Sequence, residues 1–450
     1  MVLSAPPRRP PARRTFRCAV RSGLCSLILS AALAAHAQPA ASPPAALSLN
    51  DAVQTATSRA LSPASAAAAA RAARERAIAA AQQPDPVLRL SLDNLPVEGA
   101  DRYSTTRDFM TTRSISLMQT FTRADKRSAR AERFEREAQT AQAERRLRIA
   151  AIQRDTAIAW FERRAAEQRQ ARLDALHGEW QRQLEASEAA LRAGRITPAE
   201  LIAVRESLAQ LEQARLDVQA EVGNARRALA RWTGDPGPAP LADAPSLERP
   251  RLATHDAADR LAEDPELRRL VAGESQAVAE AEVARAEREP DWSAELMFSQ
   301  RGSRYANMVS IGVSLPLPWD RPQRQDRELA ARLAQAEALR AEREDLARER
   351  QAQTGSWIEA WRSGLGRLAL IDRERVPLAR QRIDAALAAY RGGQGPLSAV
   401  LDARRAALAL QMERIELELQ TARLWARLEY LIPHEPAPAA APTPLDGGAR

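Results

Sequence analysis

The chain has 450 residues, a formal net charge of +8, two cysteines and only 4% aromatic residues. That scarcity of large rings excludes an ordinary large globular core and suits Ala- and Leu-rich helix-on-helix packing. Six arginines (Arg8, Arg9, Arg13, Arg14, Arg17 and Arg21) precede the first acid, Asp51, and without them the charge is +2, so the basic balance does not indicate a nucleic-acid partner.

Those arginines lead into an apolar run at residues 23–35 and then Ala35-His36-Ala37. This is the pattern of a secretory signal peptide over residues 1–37, too short to span a membrane as a mature helix. Arg13-Arg14-Thr15-Phe16 faintly resembles a twin-arginine signal, and Ser22-Gly23-Leu24-Cys25 is a poor lipoprotein box. Cys18 and Cys25 both lie in the removed segment, so disulfide and thiol chemistry are not expected of the mature chain.

A Pro/Ala linker, residues 38–48, precedes a first unit at 49–235. Its opening helix starts near Leu49 with Asn50 or Asp51 as cap, is interrupted at Ala60-Leu61-Ser62-Pro63, and continues to about Gln83. Leu88, Leu90 and Leu92 then alternate with polar neighbours, as do Ile115 and Leu117, predicting strands near 87–95 and 112–120. A helix of about 70 residues, roughly 105 Å long, runs from Arg123 to Ala193. Gly194 to Pro198 break it, and a return arm of about 35 residues covers roughly 52 Å. The opening helix and the return arm, stacked end to end, match the long helix.

A Pro-rich bridge at 236–252 leads to a second unit at 253–432. Asp264-Pro265 starts a helix to about Glu289, strands are predicted near 291–299 and 308–316, and a second long helix spans 323–391. Pro377 should kink or loosen that helix. A return arm from Pro396 to Ile432 follows, and residues 433–450 form a Pro/Ala-rich tail expected to be disordered.

The two units are copies. At a shift of 199 residues, Leu201, Leu211, Val218, Ala225, Leu229 and Trp232 land on Val400, Leu410, Leu417, Leu424, Leu428 and Leu431. The break repeats as Gly194 and Gly393, and so does a flaw: Arg215, which interrupts a 3-4 apolar seam, lands on Arg414. Both arginines could pair with acids on neighbouring helices or snorkel to the surface. The four short strands have one apolar face and one face of Ser, Arg, Asp, Glu295 and Gly. Such strands need closure or cover: a soluble sheet packed on helices is one solution, and twelve strands from three chains closing a barrel in lipid is another.

This organisation resembles the outer-membrane efflux protein (TolC-like) family over essentially the whole mature chain. The resemblance rests on the doubled helix–strand–strand–long-helix–helix order, on Ser62-Pro63 and Asp264-Pro265 where the family often has Asn-Pro, and on Arg192-x-Gly194 and Arg391-x-Gly393 at the breaks. Ser116-Leu117-Met118-Gln119 and Ser314-Leu315-Pro316-Leu317-Pro318 stand where the family leaves its strands. Thr122-Arg123-Ala124-Asp125 departs from the usual glycine and loosens that boundary. The general look is similar to the heavy-metal-efflux branch.

The resemblance implies a mainly α fold with a small β part, assembled as a homotrimer: a twelve-stranded barrel in outer-membrane lipid, continuous with a coiled-coil α-helical barrel across the periplasm. It implies the exit duct of a tripartite pump, with a periplasmic adaptor at the hairpin tips and an inner-membrane transporter of the resistance-nodulation-division type. Arg192, Gly194, Arg391 and Gly393 match the tip positions; Thr197, Glu200, Gln394 and Ser398 join them by proximity. Helix capping is a compatible reading of the same residues. The family narrows at its periplasmic end, often with inward acids, which makes Asp384, Asp372, Glu185 and Glu188 gate candidates, against the plain alternative of a solvated helix face.

No metal site or cofactor is expected: His177, His255 and His434 lie in unrelated segments, and no cluster has ligand spacing. No phosphate loop or nucleophile–base arrangement points to an enzyme. Two rival readings are a periplasmic adaptor, against which the duplication argues, and a cell-envelope coiled-coil scaffold without a pore.

Overall fold

The computed structural model describes residues 46–234, 239–253 and 260–434. The expected signal peptide, most of the linker, the first part of the bridge and nearly all of the tail lie outside the described residues.

Helix α1 (Leu49–Arg59) is capped by Ser48, not by Asn50 or Asp51. The Ser48 hydroxyl accepts from the Asp51 amide at 3.1 Å, and Asp51 stands in the first turn, where a negative charge suits the helix N-terminus. Ala60 is extended and separates α1 from α2 (Leu61–Ala80). Strands β1 (Val87–Asp93) and β2 (Thr112–Phe121) lead into α3 (Ala124–Arg192), 69 residues and roughly 100 Å long. Its return arm is α4 (Pro198–Thr233). The second copy holds α5 (Pro265–Ala286), β3 (Trp292–Gln300), β4 (Met308–Ser314), α6 (Gln325–Leu370), a π-helical turn (Ile371–Arg375), α7 (Val376–Arg391) and α8 (Leu397–Glu429).

The short helices do cover the long one in relay. Arg76 and the Ser62 carbonyl of α2 meet Glu137 and Arg148 of α3, while α4 meets its lower half through Arg226–Glu167, Arg215–Asp174 and Arg205–Glu188. The second copy repeats this: α5 pairs with α6 through Glu280–Arg332 and Glu274–Arg343, and α8 with the π turn through Arg414–Asp372. The two copies join where α3 packs on α5 and α8.

The largest apolar core lies midway along the helices, around Trp160, Phe161, Trp425, Leu229 and Leu252. Two tryptophans there hold the connecting segments. Trp160 Nε1 donates to the Leu47 carbonyl at 3.1 Å, and Trp361 Nε1 donates to the Leu247 carbonyl at 2.9 Å. The described part of the bridge is therefore a strap, with Leu47 bridged to Leu241 and Leu252 buried in the core. The described start of the tail, Pro433-His434, is ordered rather than disordered: Gln153 exchanges two hydrogen bonds with the His434 backbone, at 2.7 and 2.8 Å.

Pro377 loosens its helix without ending it. Proline has no N–H for the Arg373 carbonyl, and the Val376 amide instead reaches back five residues to the Ile371 carbonyl. A register difference accompanies this. Asp174 lies 20 residues before the tip glycine Gly194, but Asp372 lies 21 before Gly393. The π turn absorbs the extra residue, which lets Asp372 face Arg414 as Asp174 faces Arg215.

Candidate functional site

The four strands form one antiparallel sheet in the order β1-β2-β3-β4. Its cross-strand register collects like with like. Leu88–Leu117–Leu296–Ile311 form one row, and Leu90–Ile115–Phe298–Val309 form the next. These rows are exposed, with Leu90 at 73% and Ile311 at 80%, whereas Ser114, Ser116 and Ser299 on the opposite face are buried. Burial is thus inverted relative to a water-soluble sheet. The apolar band has aromatic ends. Phe109, Tyr103 and Tyr305 stand exposed at the loop end; at the helix end Trp292 stacks on Phe121 at 4.3 Å and Trp319 is almost fully exposed. Strands of seven to ten residues extend about 23–33 Å, which when tilted matches the ~25 Å apolar band of a lipid-embedded barrel with aromatic girdles. Among the described residues, β1 and β4 each keep one unpaired edge.

At the far end, both helix breaks fold the same way. The Gly194 and Gly393 amides reach back three residues to Leu191 and Tyr390, and the Arg195 and Gln394 amides reach back five to Ala190 and Ala389. Both glycines sit at φ +70°, in the left-handed region, so each tip is a Schellman closure that a side chain would strain. Arg192, Arg391 and Gln394 are exposed around them. Thr197 caps α4 in a full capping box with Glu200: Thr197 Oγ1 accepts from the Glu200 amide at 3.3 Å, and Glu200 Oε2 accepts from the Thr197 amide at 2.8 Å. These two residues have a structural duty, and the Thr-x-x-Glu pattern before an apolar helix was the signal for it.

The four acids taken as gate candidates separate into two kinds. Asp372 is tied to Arg414 at 2.5 and 3.0 Å, and Glu188 to Arg205 at 2.9 Å. Asp384 and Glu185 are exposed and form no ion pair among the described residues. They are also equivalent, each nine residues before its tip glycine. Arg215 and Arg414 do not merely snorkel. Arg215 reaches Asp174 and Glu212, both at 2.8 Å, and Arg414 reaches Asp372 and Glu418, so each pins its return arm to the long helix. Hydrogen bonding to Asp372 pushes the Arg414 pKa up, and the group stays charged.

Two charged clamps escaped sequence reasoning because their partners are far apart in the chain. Lys126, the sole lysine of the sequence, is buried against Asp291 and the Glu289 carbonyl, both at 2.9 Å, joining the first copy to the second below the sheet. Arg169 of α3 grips both return arms, through Glu221 of α4 and Glu416 of α8.

No family model and no curated protein matches the sequence. Solved structures do. The outer-membrane channel OprN superposes with a TM-score of 0.73 at 20% identity, over 86% of this chain and 90% of that one. The outer membrane protein VceC of Vibrio cholerae gives 0.70 at 19% identity, over 85% and 95%, and the CmeC outer membrane channel of Campylobacter jejuni gives 0.71 at 12%, over 85% of each. Identities this low speak for the fold: the chain is built as the chains of outer-membrane channels are built.

Proposed function

We propose that three copies of this chain form the outer-membrane exit duct of a tripartite efflux pump. The observation that carries this reading is the inverted sheet: a greasy, exposed face bounded by aromatic residues, two open edges, and helical hairpins roughly 100 Å long leaving from one end. One four-stranded sheet encloses nothing, but three joined edge to edge give twelve strands, enough for a pore. The same joining removes both exposed edges.

The hairpins then run across the periplasm. Their tips, Arg192, Gly194, Thr197, Arg391, Gly393 and Gln394, meet a periplasmic adaptor, which couples the duct to an inner-membrane transporter of the resistance-nodulation-division type. The exposed Schellman closures, with Arg192 and Arg391 exposed beside them, support this assignment. Asp384 and Glu185 stand at one level, about 13 Å before the tips, and threefold repetition makes them a ring of carboxylates around the entrance. Heavy-metal cations are the cargo class that the resemblance implies. Among the described residues of one chain, no group of three or more possible metal ligands occurs. The chain is assigned no catalytic step.

The test has two arms. The protein should fractionate with outer membranes and migrate as a heat-sensitive trimer in detergent; a chain that stays monomeric and water-soluble without detergent overturns the reading. A deletion strain challenged with metals, dyes and antibiotics identifies the cargo, and heavy-metal cargo is rejected if metal tolerance is unchanged.

A further inference from the structure

The outer rim of the sheet carries one paired arginine, Arg107 with Asp101, beside arginines that have no carboxylate partner. Below the apolar band, Arg123, Arg130, Arg288 and Arg321 are each paired with a carboxylate, and Lys126 is paired with Asp291. Above it, Arg113, Arg301 and Arg304 have no carboxylate partner among the described residues. Arg113 shares the greasy face: its register partners are Leu92 and Gln300, one row beyond Leu90–Ile115–Phe298. It is exposed, and its Nη2 donates to the Arg301 carbonyl at 3.3 Å, which fixes it at the rim and leaves most of its donors free. An arginine beside an aliphatic row is costly at membrane mid-depth and much less so at the headgroups.

The rim is also preformed. Gly302 lies so close to the first loop that an added Cβ would stand 1.8 Å from the Thr106 carbonyl oxygen. Arg301 Nη1 donates to the Phe109 carbonyl at 3.5 Å, and its guanidinium lies 5.7 Å from the Tyr305 ring. The two loops are thereby locked together, and exposed Arg304 is carried on the locked β3–β4 loop.

Resting on the membrane-spanning reading above, we propose that Arg113 and Arg304 bind the phosphate groups of a phosphorylated glycolipid in the outer leaflet. Guanidinium groups match phosphate in charge and in forked geometry, and these two have no carboxylate partner among the described residues. The place of Arg113 directly above the aliphatic rows selects a lipid-borne phosphate over a soluble one. Three copies around the barrel repeat the site threefold.

The test uses the intact protein in detergent, with melting followed against added phosphorylated lipid A, its dephosphorylated form, and inorganic phosphate. Phosphorylated lipid A should raise the melting temperature by several degrees and the other two should not. The double variant Arg113→Glu/Arg304→Glu should lose the shift and retain several-fold less glycolipid on purification from outer membranes. Arg348→Glu, a charge change far from the rim, should keep both. An undiminished shift in the double variant, or an equal shift with the dephosphorylated lipid, overturns the site. An equal shift with inorganic phosphate overturns the lipid as its ligand. If the rim variant fails to assemble, Arg113→Gln/Arg304→Gln carries the same comparison. The trimer on gels reads the duct itself separately, so a failed lipid site and a failed barrel give different results.

Discussion

Asp264 shows how one side chain at the repeat boundary balances two opposed effects. It caps α5, accepting from the Glu266 amide at 2.8 Å, and it lies 2.9 Å from Arg350 Nε, yet it is almost fully buried. Burial pushes its pKa up, against the pull of Arg350. A carboxyl whose folded pKa lies above the unfolded one favours folding most when protonated, so its contribution declines as pH rises from the unfolded value near 4. Asparagine caps as well and carries no charge to desolvate. Asp264→Asn should therefore stay within about 0.5 kcal/mol of the native protein at neutral pH and flatten the decline above about pH 4, whereas Asp264→Ala should cost about 1 kcal/mol. Melting curves across pH read both. Near the second tip, Asp384 is exposed and has no ion pair among the described residues, whereas Asp372 is held by Arg414. Asp384→Asn should weaken divalent-cation block of single channels by about tenfold, or about 1.4 kcal/mol. Asp372→Asn should instead act through the hairpin, lowering stability with little change in block. Unchanged block in Asp384→Asn would remove the ring from the account.

The π turn is where the duplicated hairpins differ, and it can be tested as an element. The second hairpin carries one residue more than the first between its aspartate and its tip glycine. Deleting Glu374 should heal the turn into regular helix, because Val376 could then bond four residues back. The Asp372–Arg414 pair should survive, as Asp174–Arg215 does at the shorter spacing, and amide exchange over residues 371–376 should slow by about tenfold or more. Exchange that stayed fast would mean that Pro377 alone opens the helix. The element order was legible in the sequence because apolar spacing changes from helical to alternating at each boundary, and the Gly194 and Gly393 breaks were legible because few residues adopt a left-handed turn. The partners of Arg215 and Arg414 were not. They lie about 41 residues away on the opposite arm, and the inserted residue hides their equivalence under a uniform shift. The cap at Ser48 was missed for a related reason: Asp51 also suits a helix start, and only the backbone shows which of the two stands outside the first turn.

At the scale of the molecule, the decisive question is what closes the sheet. Alternation along each strand marked one face as apolar, but no sequence pattern within a single chain states what pairs with β1 and β4, because any such pairing covers edges the chain itself leaves open. The helices leave the same question open at their own edges, where Leu61 and Ile78 of α2 and Leu333 of α6 stay exposed. A solid body would cover such groups internally; a third of a cylinder covers them with its neighbours. The described chain contains no cysteine, which makes a direct test simple. Single cysteines placed at Leu88 or Leu90 on β1, combined with one at Ile311 or Val313 on β4, should cross-link between chains under mild oxidation and yield dimer and trimer bands that reductant abolishes. Antiparallel neighbours bring such positions within about 4.5–5.5 Å when they are in register, so one pairing of the set should react several-fold faster than the others and thereby report the register of closure. Cysteines on β2 and β3, at Leu117 and Leu296, already face each other within one chain and should give only an internal bond that leaves the gel position of the monomer unchanged. If β1–β4 pairs likewise closed only within single chains, the sheet would curl on itself and no pore of twelve strands could form.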